Sequence, residues 1–137
     1  MEIVAMLMLD THTLVWWVDG NAKLSATAVQ AIMPFMKQPR SVLVSSISIW
    51  EITLLIQKNR LELTRPLHDW LDLVERLPIL RFVPVDNPIA RLSVELPGES
   101  HPDPADRIIV ATAIVHDARL LTRDANIRRY PHVKTLW

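Results

Sequence analysis

Met6-Leu7-Met8-Leu9 is apolar without a break and ends at a carboxylate, Asp10. A strand with solvent on one side alternates apolar and polar residues, so an unbroken run of this kind reads as a strand buried on both faces. Both faces of a sheet are buried only when helices cover each side. The sequence feature that most constrains the fold is thus a short internal strand, and it points to an α/β sandwich with a mostly parallel sheet.

The remainder of the chain alternates as that architecture requires. A helix is expected from Thr11 with Asp10 as its cap, and a second from Ala26 to Met36 after Ser25, shortened or kinked by Pro34. Ser41 to Val44 reads as a strand, followed by a helix that starts between Ser45 and Ser48 and carries Ile49, Ile52 and Ile56 on one face. Pro66 suits a first helical position, and Leu67, Trp70, Leu71, Val74 and Leu77 recur at helical spacing. Leu80 to Val85 is a third strand candidate, Pro88 to Leu96 a helix, and Pro97-Gly98 a stop. Asp103-Pro104 caps a helix running to about Asp117; Leu120 to Thr122 and Val133 to Leu136 complete the strands, the last at the edge. The expected fold class is therefore α/β, a three-layer sandwich with a short, mostly parallel central sheet. The length of 137 residues suits one domain with one core.

Composition narrows the chemistry. The chain has no cysteine, which excludes disulfides, thiolate zinc and a cysteine nucleophile. His12, His68, His101, His116 and His132 include no pair at i, i+4, and they read as surface or capping residues. Fifteen basic residues balance fifteen acidic ones, so nucleic acid is not held here by net charge alone. From His101 onward, however, six Lys/Arg face four Asp/Glu, giving a basic tail. The apolar stretch Ile3 to Leu9 is short and follows Glu2, unlike a secretory signal, and no run suits a membrane span, so a cytoplasmic protein is expected. Met6 and Met8 also offer starts later than Met1.

In a parallel sheet the strand carboxyl ends share one edge, where ligands bind. Asp10 follows the first strand, Asp124 lies two residues past the fourth, and Glu51 sits in the first turns of the helix after the second. Asp106 lies in the first turn of the helix preceding the fourth strand, a position that topology does not by itself assign to this edge. Each acid has a structural reading too. Asp10 fits an N-cap, and Ser48 to Glu51 fits a capping box. Asp103 with Asp106 fits a cap and its N3 partner, and Asp124 fits a turn. Gathered together, carboxylates repel and raise one another's pKa unless a cation compensates, and oxygen ligands suit Mg²⁺ or Mn²⁺.

Four segments in fixed order, MLMLDTHTLVWW, SSISIWEI, HPDPADRIIVATAI and LLTRD, closed by YPHVKTLW, resemble the PIN-domain ribonucleases, and most of all the VapC toxins of type II toxin–antitoxin systems. The resemblance implies one PIN-like nuclease domain over residues 1–137. It makes Asp10, Glu51, Asp106 and Asp124 the catalytic and metal-holding acids, with Asp10 and Asp106 the direct ligands of one or two Mg²⁺ or Mn²⁺ ions. Asp103 and Thr122 are open as further contributors. It also implies in-line hydrolysis of RNA, of the transfer or ribosomal class, to 5′-phosphate and 3′-hydroxyl ends. Arg123, Arg128 and Arg129 are candidate phosphate contacts. The expected partners are a VapB-type antitoxin and a second copy of the chain in a toxin–antitoxin hetero-oligomer. Helices around Trp50–Ile56 and Leu67–Leu77, with Trp16 and Trp17, are the candidate docking surface. Two other readings compete: a non-catalytic PIN-like module that binds RNA or protein, and a receiver-like phosphoacceptor. The second would place paired acids after the first strand, where this chain has one.

Overall fold

Leu7 and Leu9 point to one side of the sheet and Met8 to the other, and all three are fully buried. That alternation with burial on both sides generates the layers of the computed structural model, which describes residues 6–99 and 101–137. The suggested later starts turn on residues 1–5, which lie outside the described residues.

The elements follow in the order β1 (Met6–Leu9), α1 (Thr11–Asp19), α2 (Ala26–Ile32), β2 (Val42–Ser45), α3 (Ser46–Gln57), α4 (Leu67–Glu75), β3 (Leu80–Val83), α5 (Asn87–Glu95), α6 (Pro104–Val115), β4 (Ala118–Leu121), α7 (Ala125–Arg129) and β5 (Thr135–Leu136). The sheet order is β3-β2-β1-β4-β5, and every pairing among the described residues is parallel. Leu9 pairs with Val44 on one side and with Leu121 on the other, so the three central strands end level.

One core lies on the Leu7/Leu9 face, where Leu14 of α1, Ile32 of α2, Ile52 of α3 and Trp70 of α4 pack against Val42, Val44 and Leu121. The other lies on the Met8 face, where Ile89 of α5, Ile109 of α6 and Ile127 of α7 cover Leu43 and Leu120. Trp70 anchors the first core: it is fully buried, and its indole N–H donates to Asp19 Oδ1 at 2.8 Å, at the end of α1. Asp19 also accepts from the Thr64 hydroxyl at 2.8 Å, tying the approach to α4 onto α1.

Several expected boundaries move. The helix after Ser25 ends at Ile32, and Met33–Phe35, with Pro34 inside, continues as one 3₁₀ turn. Proline lacks the N–H an α-helical turn needs. Pro66 is the N-cap of α4 rather than its first helical residue. The strand expected to reach Val85 stops at Val83, before Pro84. The cap of α3 is Ser45, whose hydroxyl accepts from Ile47 N at 3.1 Å. The capping box expected at Ser48 does not form, because β2 runs unbroken into the helix and the buried Ser48 hydroxyl accepts from Thr11 Oγ1 at 2.9 Å.

Candidate active site

Strand order reverses on passing from β1 to β2 and from β1 to β4, so the crevice beyond β1 is the topological switch point of the sheet. The backbone at this point is closed by Asp10 N donating to Leu121 O at 3.2 Å, and the Thr13 hydroxyl donates to the same carbonyl at 3.0 Å. A cleft of about 510 Å³ opens here. Asp10, Glu51, Asp103, Asp106 and Asp124 line one part of it; Thr11, His12, Trp16 and Arg123 line the rest.

Asp10 caps α1, its Oδ1 accepting from Thr13 N at 2.8 Å. Burial pushes its carboxyl up from the ordinary value, while hydrogen bonds from Thr122 and Thr13 hold it down. Thr122 is itself fully buried, and its hydroxyl accepts from Asp124 N at 3.1 Å, so this side chain ties the first and fourth acids together. Asp124 then caps α7, accepting from Ile127 N at 3.0 Å; it starts a helix where an ordinary turn was expected. Glu51 stands in the second turn of α3, half-buried, and its carboxylate is not spent on a cap.

Asp106 is the third residue of α6, and its N–H donates to the N-cap Asp103 at 3.1 Å. A helix that feeds a parallel strand must begin at the edge where the strands end, and α6 leads directly into β4. Its first turn therefore stands in the cleft. The Asp106 carboxyl is pushed up to about 8, chiefly by burial, then by repulsion from Asp103, Glu51, Asp124 and Asp10. Single donor atoms of Glu51, Asp103 and Asp106 lie within 4.8 Å of one another, as do those of His101, Asp106 and Asp124. Asp106 is common to both sets, and Asp10 joins them through the shared cleft.

His101 departs from the expected surface or capping role. Its Nδ1 accepts from Asp103 N at 3.0 Å, which leaves the proton of a neutral ring on Nε2. That nitrogen stands 3.3 Å from Asp106 Oδ2 and 3.4 Å from Asp124 Oδ2. The one sequence signal was its position two residues before the Asp103 cap. Of the three candidate arginines, Arg123 lines the cleft. Arg129 lines a neighbouring cavity of about 350 Å³ together with His101 and Tyr130, and Arg128 is exposed and lines neither.

The apolar docking elements separate. The α4 face buries Trp70 and Val74 in the core. Trp50 is 56% exposed and, with Ile47, Leu54, Leu55 and Ile108, lines an apolar groove between α3 and α6.

A parallel five-stranded sheet whose switch point gathers acids from β1, α3, α6 and the β4–α7 turn defines an acidic-site α/β domain. Residues 7–133 match the PIN domain family model, and the chain belongs to that family. Ribonuclease VapC22 of Mycobacterium tuberculosis is 37% identical over 134 residues, covering 96% of this chain and 98% of that protein. The crystal structure of VapBC2 from Rickettsia felis bound to a DNA fragment from its promoter superposes with a TM-score of 0.69 at 19% identity, covering 96% of this chain and 97% of that one. A toxin–antitoxin complex from Klebsiella pneumoniae superposes with a TM-score of 0.63 at 25% identity, covering 93% and 94% of the two chains.

Proposed function

We propose that this chain, as a single nuclease domain, is a metal-dependent endoribonuclease and the toxin of a toxin–antitoxin pair. The observation that carries the reading is the convergence of Asp10, Glu51, Asp106 and Asp124 on one cleft at the switch point of a PIN-family sheet. The likeness to a named ribonuclease across 96% of the chain supports it.

The donor set fits a hard divalent cation. Carboxylate oxygens dominate it, and the Asp106 proton, held chiefly by burial and then by repulsion from the neighbouring acids, is one that a bound cation would displace. Asp10 and Asp106 would hold Mg²⁺ or Mn²⁺ directly, with Glu51 and Asp124 completing the set and Asp103 and His101 bracing Asp106. When bound, the metal supplies Lewis acidity, lowering the pKa of water and offsetting charge on the phosphate.

The protein's own groups do the rest. Asp10 is locked by Thr13 and Thr122, so its carboxylate needs no reorganisation. Glu51, free of any cap, and Asp124 orient the attacking water and accept its proton. Water adds to phosphorus opposite the 3′ oxygen, the P–O3′ bond breaks, and the products carry a 5′-phosphate and a 3′-hydroxyl. Arg123 lines the same cleft and would meet a phosphate oxygen there. The substrate class follows the expectation of transfer or ribosomal RNA. A VapB-type antitoxin and a second copy of the chain are the proposed protein partners, and the groove around Trp50 is the surface offered to them.

Purified protein incubated with structured and unstructured RNA tests the reading. Cleavage is expected with Mn²⁺ or Mg²⁺, and Asp10→Asn or Asp106→Asn should lower it roughly 10²–10³-fold. Cleavage that persists in EDTA, or that both variants retain, rules the reading out.

A further inference from the structure

The cleft that holds the carboxylates carries a second chemistry. His12 and Trp16 lie four residues apart on α1, the helix that Asp10 caps, and line the cleft. The Trp16 ring is half-buried, its centroid 5.7 Å from that of His12 and 5.9 Å from that of Trp137, which meets it edge-on. Two exposed cations stand over it. The Arg123 guanidinium carbon is 5.8 Å from the ring centroid and Lys23 Nζ is 6.0 Å away. Both distances lie at the outer limit of a cation–π contact, so neither cation is committed to the ring, and both can turn toward an anion.

Resting on the nuclease reading above, we propose that Trp16 is a stacking platform for an unpaired base of the RNA next to the scissile phosphate. Arg123 and Lys23 hold the phosphates flanking that base. Three observations converge on this occupant. The carboxylates of the cleft repel a polyanion, and Arg123 and Lys23 beside Trp16 supply compensating positive charge. An aromatic face beside mobile cations matches a base with its phosphates, the pairing used to hold single strands without reading sequence. Asp10 and Trp16 are six residues apart on one helix, about 9 Å along its axis, which places the platform at a neighbouring nucleotide rather than the reacting one. A basic peptide side chain, by contrast, would be repelled by the charges of Arg123 and Lys23. A base within a duplex cannot present its face, so the platform selects single-stranded or looped RNA.

Binding is measured in the Asp106→Asn background with fluorescein-labelled oligouridine about ten nucleotides long, a length within the known range of single-strand sites. Trp16→Ala is expected to weaken binding roughly 5- to 150-fold. Arg123→Ala and Lys23→Ala should each reduce the slope of log affinity against log salt by about 0.7. Heparin, a polyanion without bases, serves as the control and should bind the parent and Trp16→Ala alike. Trp16→Phe keeps a stacking face and should keep most of the affinity, while losing the tryptophan quenching that oligouridine causes in the parent. Unchanged oligouridine binding by Trp16→Ala overturns the proposal, as does an equal loss of heparin binding. If Trp16→Ala fails to fold, as judged by circular dichroism, Trp16→Phe decides: quenching that persists overturns the platform. RNA binding that depends on Trp16 in a wild-type protein that cuts no RNA overturns the nuclease reading and supports the platform. Cleavage by wild type, with Trp16→Ala binding unchanged, overturns the platform alone.

Discussion

Replacing Asp106 with asparagine removes a charge from the most crowded point of the cleft while keeping the shape of the side chain. In the metal-free protein the Asp106 carboxyl is pushed from 3.8 up to about 8, and its side chain is 20% exposed. A folded pKa above the unfolded one means the native state binds the extra proton. Below about pH 4 the group is protonated in both states and costs nothing. Between pH 4 and pH 8 the unfolded chain releases a proton that the folded one keeps, and native stability falls by about 1.4 kcal/mol per pH unit. At pH 7 the accumulated cost is about 4 kcal/mol, an upper figure because the cleft is open to solvent. Asp106→Asn should therefore raise the stability of the EDTA-treated protein by up to about 4 kcal/mol at pH 7 and by little at pH 4. Urea titrations of both proteins from pH 4 to 8 read this directly. Mn²⁺ at a hundred times its dissociation constant should narrow this gap by about 2.7 kcal/mol, because only the parent retains the carboxylate. Parallel stability curves for parent and variant across this pH range would refute the reasoning, for they would mean that burial and the neighbouring acids do not hold a proton on Asp106.

Three further outcomes are expected. Loss of the Asp106 proton should aid metal binding, so the Mn²⁺ concentration needed for half-maximal RNA cleavage should fall as pH rises toward 8, as read by a titration at several pH values. His101→Ala removes the side chain standing between Asp106 and Asp124 and should lower metal affinity or cleavage by about 10- to 100-fold with little change in the melting temperature, as calorimetry and kinetics can show. Trp70→Ala empties the core beneath α4 and removes one of the donors to Asp19, which should cost about 3–5 kcal/mol in urea denaturation.

The fold was largely legible because its signals are local. An unbroken apolar run ending at Asp10 announced β1, and Pro97-Gly98 with Asp103-Pro104 bracketed the gap between α5 and α6. What escaped were features too short or too distant for periodicity. The five residues of α7 span little more than one turn, and their start is set by the Asp124 cap. Asp106 looked unplaced because a helix before its strand was counted as distance, whereas helix polarity puts the start of α6 at the edge where the strands end. His101 joins the site through a backbone hydrogen bond in the loop before α6, which no spacing rule anticipates. The pairing of Trp16 with Trp137 joins α1 to the residue after β5 and has no local signature.

The pairing of β1 with β4 has a consequence in time. Asp10 belongs to the first described strand, yet its neighbour across the switch point arrives with Leu121, and the last acid follows at Asp124. A nascent chain emerging from the ribosome can form helices and the β1–β2–β3 half of the sheet while still lacking two of its four acids. The proposed set can assemble only after Asp124 has emerged. On the nuclease reading, cleavage of RNA must wait until residues 106 and 124 have both been made.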